Sequence, residues 1–176
     1  MQMEYGGYWN GMKLLFGGKG RELSKLRQLV LNSSDGEKKN YTGWWYCCMS
    51  VESIIERGLP LPFFLHYDDV EYALRNHGRI ILMNGIGVWH AYKPEESPAT
   101  VYYNHRNRLI LENIYEPLSA KSMLITIGYL AVTGIRYLQG GESEKLAAML
   151  RAYEDYLKGI DWLANCHPEL NHKEVS

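Results

Sequence analysis

Tyr41-Thr42-Gly43-Trp44-Trp45-Tyr46-Cys47-Cys48-Met49 places four aromatic side chains within six residues. A run of this composition predicts a buried or half-buried strand over 44–49. Working outward, residues 1–9 read as a short strand ending at Gly6-Gly7. Residues 79–83 and 86–90 read as strand segments separated by Asn84-Gly85, a strong turn signal. These segments predict an α/β fold built on a mixed sheet.

Helix signals fill the gaps. Leu23, Leu26, Leu29 and Val30 repeat at helical spacing over 21–31. Ser50 suits a helix N-cap, with Glu52 in the first turn and Gly58 as the stop. Leu59-Pro60-Leu61-Pro62 forces an extended passage, and Phe63-Phe64-Leu65 reads as a further short strand. Asp68 followed by Glu71 has the spacing of a capping box, opening a helix to about Asn76 before Gly78. Beyond Ala99 the pattern is helical over 99–115, 119–138 and 142–158. The expected organisation is therefore an α/β part, 1–98, followed by a C-terminal helical region, 99–176. The stretch Ser122 to Ile135 carries no charge. It falls short of the roughly 20 apolar residues that span a bilayer, so a buried core helix is expected.

The chain has 176 residues, the size of one domain or part of one. Nineteen Lys and Arg balance twenty Asp and Glu, which disfavours a nucleic-acid partner. Three cysteines do not make a disulfide framework, and free thiols in a reducing compartment are expected. Met1-Gln2-Met3-Glu4-Tyr5 shows no signal peptide. Gly11, Gly17, Gly18 and Gly20 lack the Gly-Lys-Ser/Thr of a phosphate loop.

Asp68-Asp69 is the sharpest chemical feature. A helix N-terminus favours ionised carboxylates, and an ionised carboxylate can take a proton from a substrate hydroxyl. Plain capping explains Asp68 fully and Asp69 poorly. His90, at the end of a predicted strand, is either a metal ligand or an ordinary surface histidine. One ring of Trp44-Trp45 can enter the core while the other stacks on a sugar. His105-Arg106-Asn107-Arg108 can meet phosphate, or pair with Glu112 and solvent.

Taken in order, Gly43-Trp44-Trp45-Tyr46, Gly58-Leu59-Pro60-Leu61-Pro62-Phe63-Phe64, Tyr67-Asp68-Asp69-Val70-Glu71-Tyr72, Gly87-Val88-Trp89-His90 and Tyr103-Asn104-His105-Arg106-Asn107 resemble the second half of a family 2 glycosyltransferase. The likeness is greatest to bacterial galactofuranosyltransferases. It covers 41–110, and extends more weakly to 1–9 and to Tyr153–Gly159. It implies a partial GT-A, Rossmann-like sheet without its nucleotide-binding half. It also implies inverting transfer of a galactofuranose- or rhamnose-type sugar from a nucleotide-sugar donor to a glycan acceptor. Asp69 would be the general base, Asp68 would hold the acceptor, and Trp44 and Trp45 would line its site. His90 would help ligate a divalent metal, Mn²⁺ or Mg²⁺, on the donor diphosphate. The Asp-x-Asp that supplies the other ligands is not in this sequence, so the chain reads as an acceptor-side piece with little activity alone. The resemblance further implies a cytoplasmic protein, with contact at the inner membrane face or a homo-oligomer. The competing expectation is a non-catalytic module that binds a glycan or a protein.

Overall fold

The computed structural model describes residues 7–9, 14–16, 22, 24–34, 39–86, 88, 96–116 and 119–176. Its elements are β1 (Gly7–Trp9), β2 (Leu14–Phe16), α1 (Leu26–Ser34), α2 (Val51–Arg57), α3 (Asp68–Asn76), α4 (Pro98–Tyr115), α5 (Ala120–Gln139), α6 (Ser143–Leu157), α7 (Ile160–Asn165) and α8 (Pro168–Val175).

The architecture is helical, which overturns the expected α/β mixed sheet. Among the described residues, sheet is confined to an antiparallel ribbon pairing Gly7 with Phe16 and Trp9 with Leu14. Residues 44–49 and 79–86 take no strand conformation. A strand needs a neighbour to pair its backbone, and these stretches leave most of their side chains exposed. Trp44 meets the ring of Tyr72 on α3 edge-on, with centroids 5.5 Å apart. Asn84 does sit in a turn, but its side chain docks on α1. It donates to the Leu29 carbonyl at 3.1 Å and accepts from Asn32 at 3.1 Å. Without a mixed sheet the GT-A, Rossmann-like expectation falls as well. Phe63–Leu65 is also not a strand, because Phe64 takes the left-handed conformation.

The chain divides into two compact units, Met1–Leu61 with Asp68–Tyr92, and Pro62–Tyr67 with Lys93–Ser176. In the first, Ser50 caps α2 by accepting from the Ser53 N–H at 3.1 Å. Gly58 ends that helix at φ +76°, a conformation glycine adopts without strain. α3 buries Val70, Tyr72 and Leu74.

In the second unit α4 packs on α6. Val101, Tyr102 and Tyr103 meet Met149 and Ala152, with Val175 of α8 closing the cluster. α5 joins through Gly134, where a Cβ would stand 3.5 Å from Leu146 and Met149. The outward side of α5 is apolar, including Leu124, Ile127 and Val132. No helix among the described residues is long and apolar enough to cross a membrane.

Polar groups also occupy this core. Tyr102 donates to Asp155 at 2.6 Å and accepts from Asn171 at 3.1 Å. Burial, and then the Asp155 carboxylate, push the Tyr102 hydroxyl up to about 12. Lys158 and Arg151 pair with Asp155 at 2.5 and 3.7 Å, so the buried carboxylate is compensated.

Candidate functional site

The first unit contains Trp44, Trp45, Asp68 and Asp69, and brings Trp45 and Asp69 to Gly43. Asp68 and Asp69 open α3, where the unpaired N–H groups and the helix dipole favour negative charge. Asp68 is the first helical residue, and Glu71 is engaged by Arg75, so the expected capping box is replaced by an ion pair. The Asp69 carboxylate accepts the Val70 N–H through Oδ1 at 2.8 Å. Its Oδ2 faces Gly43: a Cβ built there would lie 3.8 Å from Oδ2 and 3.2 Å from Cδ1 of Trp45. A carboxylate edge and an indole thus converge on a position that has no side chain.

The two tryptophans differ in burial. Trp44 is half-buried against Tyr72, whereas Trp45 is 55% exposed. Cys47 and Cys48 are exposed free thiols. Partial burial, then the charges of Cys48 and Asp69, push the Cys47 thiol up, which makes it a poor nucleophile at neutral pH. His90 lies outside the described residues.

Among the described residues, no group of three His, Cys, Asp or Glu could hold a metal ion.

The supporting contacts of α3 were not foreseen. Arg75 reaches Glu71 with Nε at 2.9 Å and Nη2 at 3.1 Å, a bidentate fork. The same guanidinium donates to the carbonyls of Arg57 and Leu59, at 2.5 and 2.9 Å. Tyr72 donates to the carbonyl between them, Gly58, at 2.9 Å. Only the i,i+4 spacing of Glu71 and Arg75 could have signalled any of this.

In the second unit the basic cluster does not form an open phosphate patch. Arg106 and Asn107 turn inward onto the carbonyls of Phe63, Leu65 and His66, and Arg108 pairs with Glu112 at 3.4 Å. This unit also holds a hollow of about 320 Å³ walled by Ile110, Ile114, Tyr156, Trp162 and Leu163. Arg106 of the basic cluster lines it, and Asp68, Asp69, Trp44 and Trp45 do not.

No family model matches the sequence, and no solved structure matches it. The chain is 30% identical over 126 residues to galactofuranosyltransferase GlfT2 of Mycolicibacterium smegmatis, a match covering 68% of this chain and 19% of that protein. It is 29% identical over 127 residues to galactofuranosyltransferase GlfT2 of Mycobacterium tuberculosis, covering 68% and 20%. The chain spans about a fifth of the length of the curated relatives it matches. Through that shared stretch, the protein is related to glycosyltransferases.

Proposed function

We propose that this chain supplies the acceptor side of a glycosyltransferase that adds a galactofuranose-type sugar to a glycan hydroxyl. The observation that carries this is the convergence of the Asp69 carboxylate and the exposed Trp45 ring on Gly43, in a chain related to galactofuranosyltransferases. The indole offers an apolar face for the C–H side of a sugar, and the carboxylate accepts a hydrogen bond from its hydroxyl. In the reaction, that hydroxyl oxygen forms a bond to the anomeric carbon of the donor. The bond from that carbon to the diphosphate oxygen breaks, with inversion. The hydroxyl proton passes to Asp69, and the diphosphate leaves with the bonding pair. Asp68 holds the acceptor beside it. The chain alone binds acceptor and turns over little.

Titration of the chain with a galactofuranose oligosaccharide, followed by NMR of the indole N–H signals, tests the assignment. Wild type should bind, and Asp69→Ala should bind roughly tenfold more weakly, because a charge-assisted hydrogen bond is lost. Equal binding by the two would remove Asp69 from the site, and no binding by wild type would overturn the function. Turnover by the isolated chain, given a nucleotide-galactofuranose and Mn²⁺, would contradict its inactivity alone.

Gly43→Val places methyl groups between Trp45 and Asp69. It should weaken the same binding about tenfold while leaving the thermal midpoint near that of wild type, since Trp45 is exposed. An unchanged affinity in scanning calorimetry-matched samples would show that the sugar does not use this gap.

A further inference from the structure

Three successive carbonyls at the end of α2 are taken by two side chains of α3. Arg57 and Leu59 accept from Arg75, and Gly58, between them, accepts from Tyr72 at 2.9 Å. Glu71, 2% exposed, fixes the Arg75 fork, and the guanidinium lies 5.0 Å over the Tyr72 ring. That ring also meets the Trp44 ring, with centroids 5.5 Å apart. Asp69 precedes Tyr72 by three residues, so both lie on one side of α3. Tyr72 is therefore anchored by its hydroxyl to main chain and by its ring to the neighbour of Trp45.

We propose that Tyr72 is a positioning residue of the acceptor site, acting through Trp44 to hold the Trp44-Trp45 pair against the Asp69 end of α3. This rests on the function proposed above and adds a residue that does not itself touch the sugar. The hydroxyl sets where the ring stands, the ring sets where Trp44 stands, and the adjoining peptide carries Trp45. A side chain serving only to fill the core would tolerate loss of one oxygen without any change at the sugar.

The test uses the full chain and the same galactofuranose oligosaccharide. Tyr72→Phe keeps the ring and removes the bond to Gly58. It should weaken binding about fivefold and shift the Trp44 indole N–H signal, a change of the size seen between coupled neighbours. In a Trp44→Ala background the same substitution should change affinity less than about twofold, because its route to the sugar is gone. Arg75→Gln, which opens the clamp from its other side and spares the Tyr72 ring, should act in the same direction and serves if Tyr72→Phe does not fold. Wild-type affinity in both variants would overturn the inference, as would an equal loss with and without Trp44. Failure of wild type to bind would instead overturn the acceptor-site function, so the two failures are distinct.

Discussion

Between pH 6.5 and pH 4 the chain should lose about 3 kcal/mol of stability through His105 alone. His105 is 6% exposed, set between the rings of Tyr129 and Tyr153 at 5.6 and 6.0 Å. Its Nδ1 has no hydrogen-bond partner among the described residues. Burial first, and the Arg108 charge second, lower its pKa from 6.5 to about 4. Above pH 6.5 the ring is neutral whether the chain is folded or not, and folding is not penalised. As the pH falls through that value the unfolded chain takes up a proton that the folded chain refuses. Stability declines until about pH 4, where the folded form also binds the proton and the loss saturates. Glu112, beside Arg108, works in the opposite sense: burial raises its carboxyl, so the folded chain takes its proton first. The His105 contribution is isolated by comparison with His105→Phe, whose ring suits the aromatic surroundings and cannot titrate. Urea denaturation at pH 7 and pH 4.5 should show the wild type losing about 2 kcal/mol or more relative to the variant. Parallel losses in the two proteins would mean that the buried imidazole is protonated without cost.

His105 also shows where the sequence was legible. Tyr102, His105, Arg106 and Leu109 fall on one face by spacing alone, and all four are buried on α4. Helix periodicity is local, so the expected helices lie close to α4, α5 and α6, and the Asp68 start and Gly58 stop hold. Strand propensity measures fit to a sheet that other segments must supply. The aromatic run 41–49 carried that propensity, yet Trp44 found its partner in Tyr72, from a helix more than twenty residues on. Nothing in the run itself distinguishes a neighbouring strand from a neighbouring helix. The acid pair and the tryptophans were visible because their chemistry is unusual at a surface. Gly43, Tyr72 and Arg75 were not, because their roles arise from distances between side chains and carbonyls far apart in sequence. Asn107 was quoted as part of a basic cluster, and its actual role depends on carbonyls some forty residues earlier.

Asn107→Leu should destabilise the helical unit by on the order of 3 kcal/mol, the cost of a buried Arg106 Nε and two part-buried carbonyls losing their partner. Within that unit Phe64, His66 and Tyr67 take φ values of 71°, 61° and 67°, which L residues other than Asn and Asp rarely adopt. Each such residue costs roughly 1–2 kcal/mol, so a run of them persists only where its surroundings dictate it. The dictating groups are on α4. Asn107, fully buried, donates through Nδ2 to Leu65 at 2.6 Å, His66 at 2.9 Å and Phe63 at 3.3 Å. Arg106 adds a bond from Nη2 to the Phe63 carbonyl at 2.9 Å, and its Nε donates to Asn107 Oδ1 at 2.9 Å. Leucine has nearly the same volume and no polar atoms, so it takes the amide donor from the Leu65 and His66 carbonyls and the acceptor from Arg106 Nε, while the Phe63 carbonyl keeps Arg106. Asn107→Asp, which keeps the acceptor for Arg106 and loses the donors, should be at least as costly, because a carboxylate would then face the carbonyls. The strain makes a second, opposite expectation. His66 is exposed, and His66→Gly removes a Cβ from a left-handed position. It should restore about 1 kcal/mol in the Asn107→Leu background, since glycine adopts that φ at no steric cost. Denaturant midpoints for the single and double variants decide the matter. A tolerated Asn107→Leu would show that the turn holds itself, and a His66→Gly change that destabilised both backgrounds would show that residue 66 is not strained.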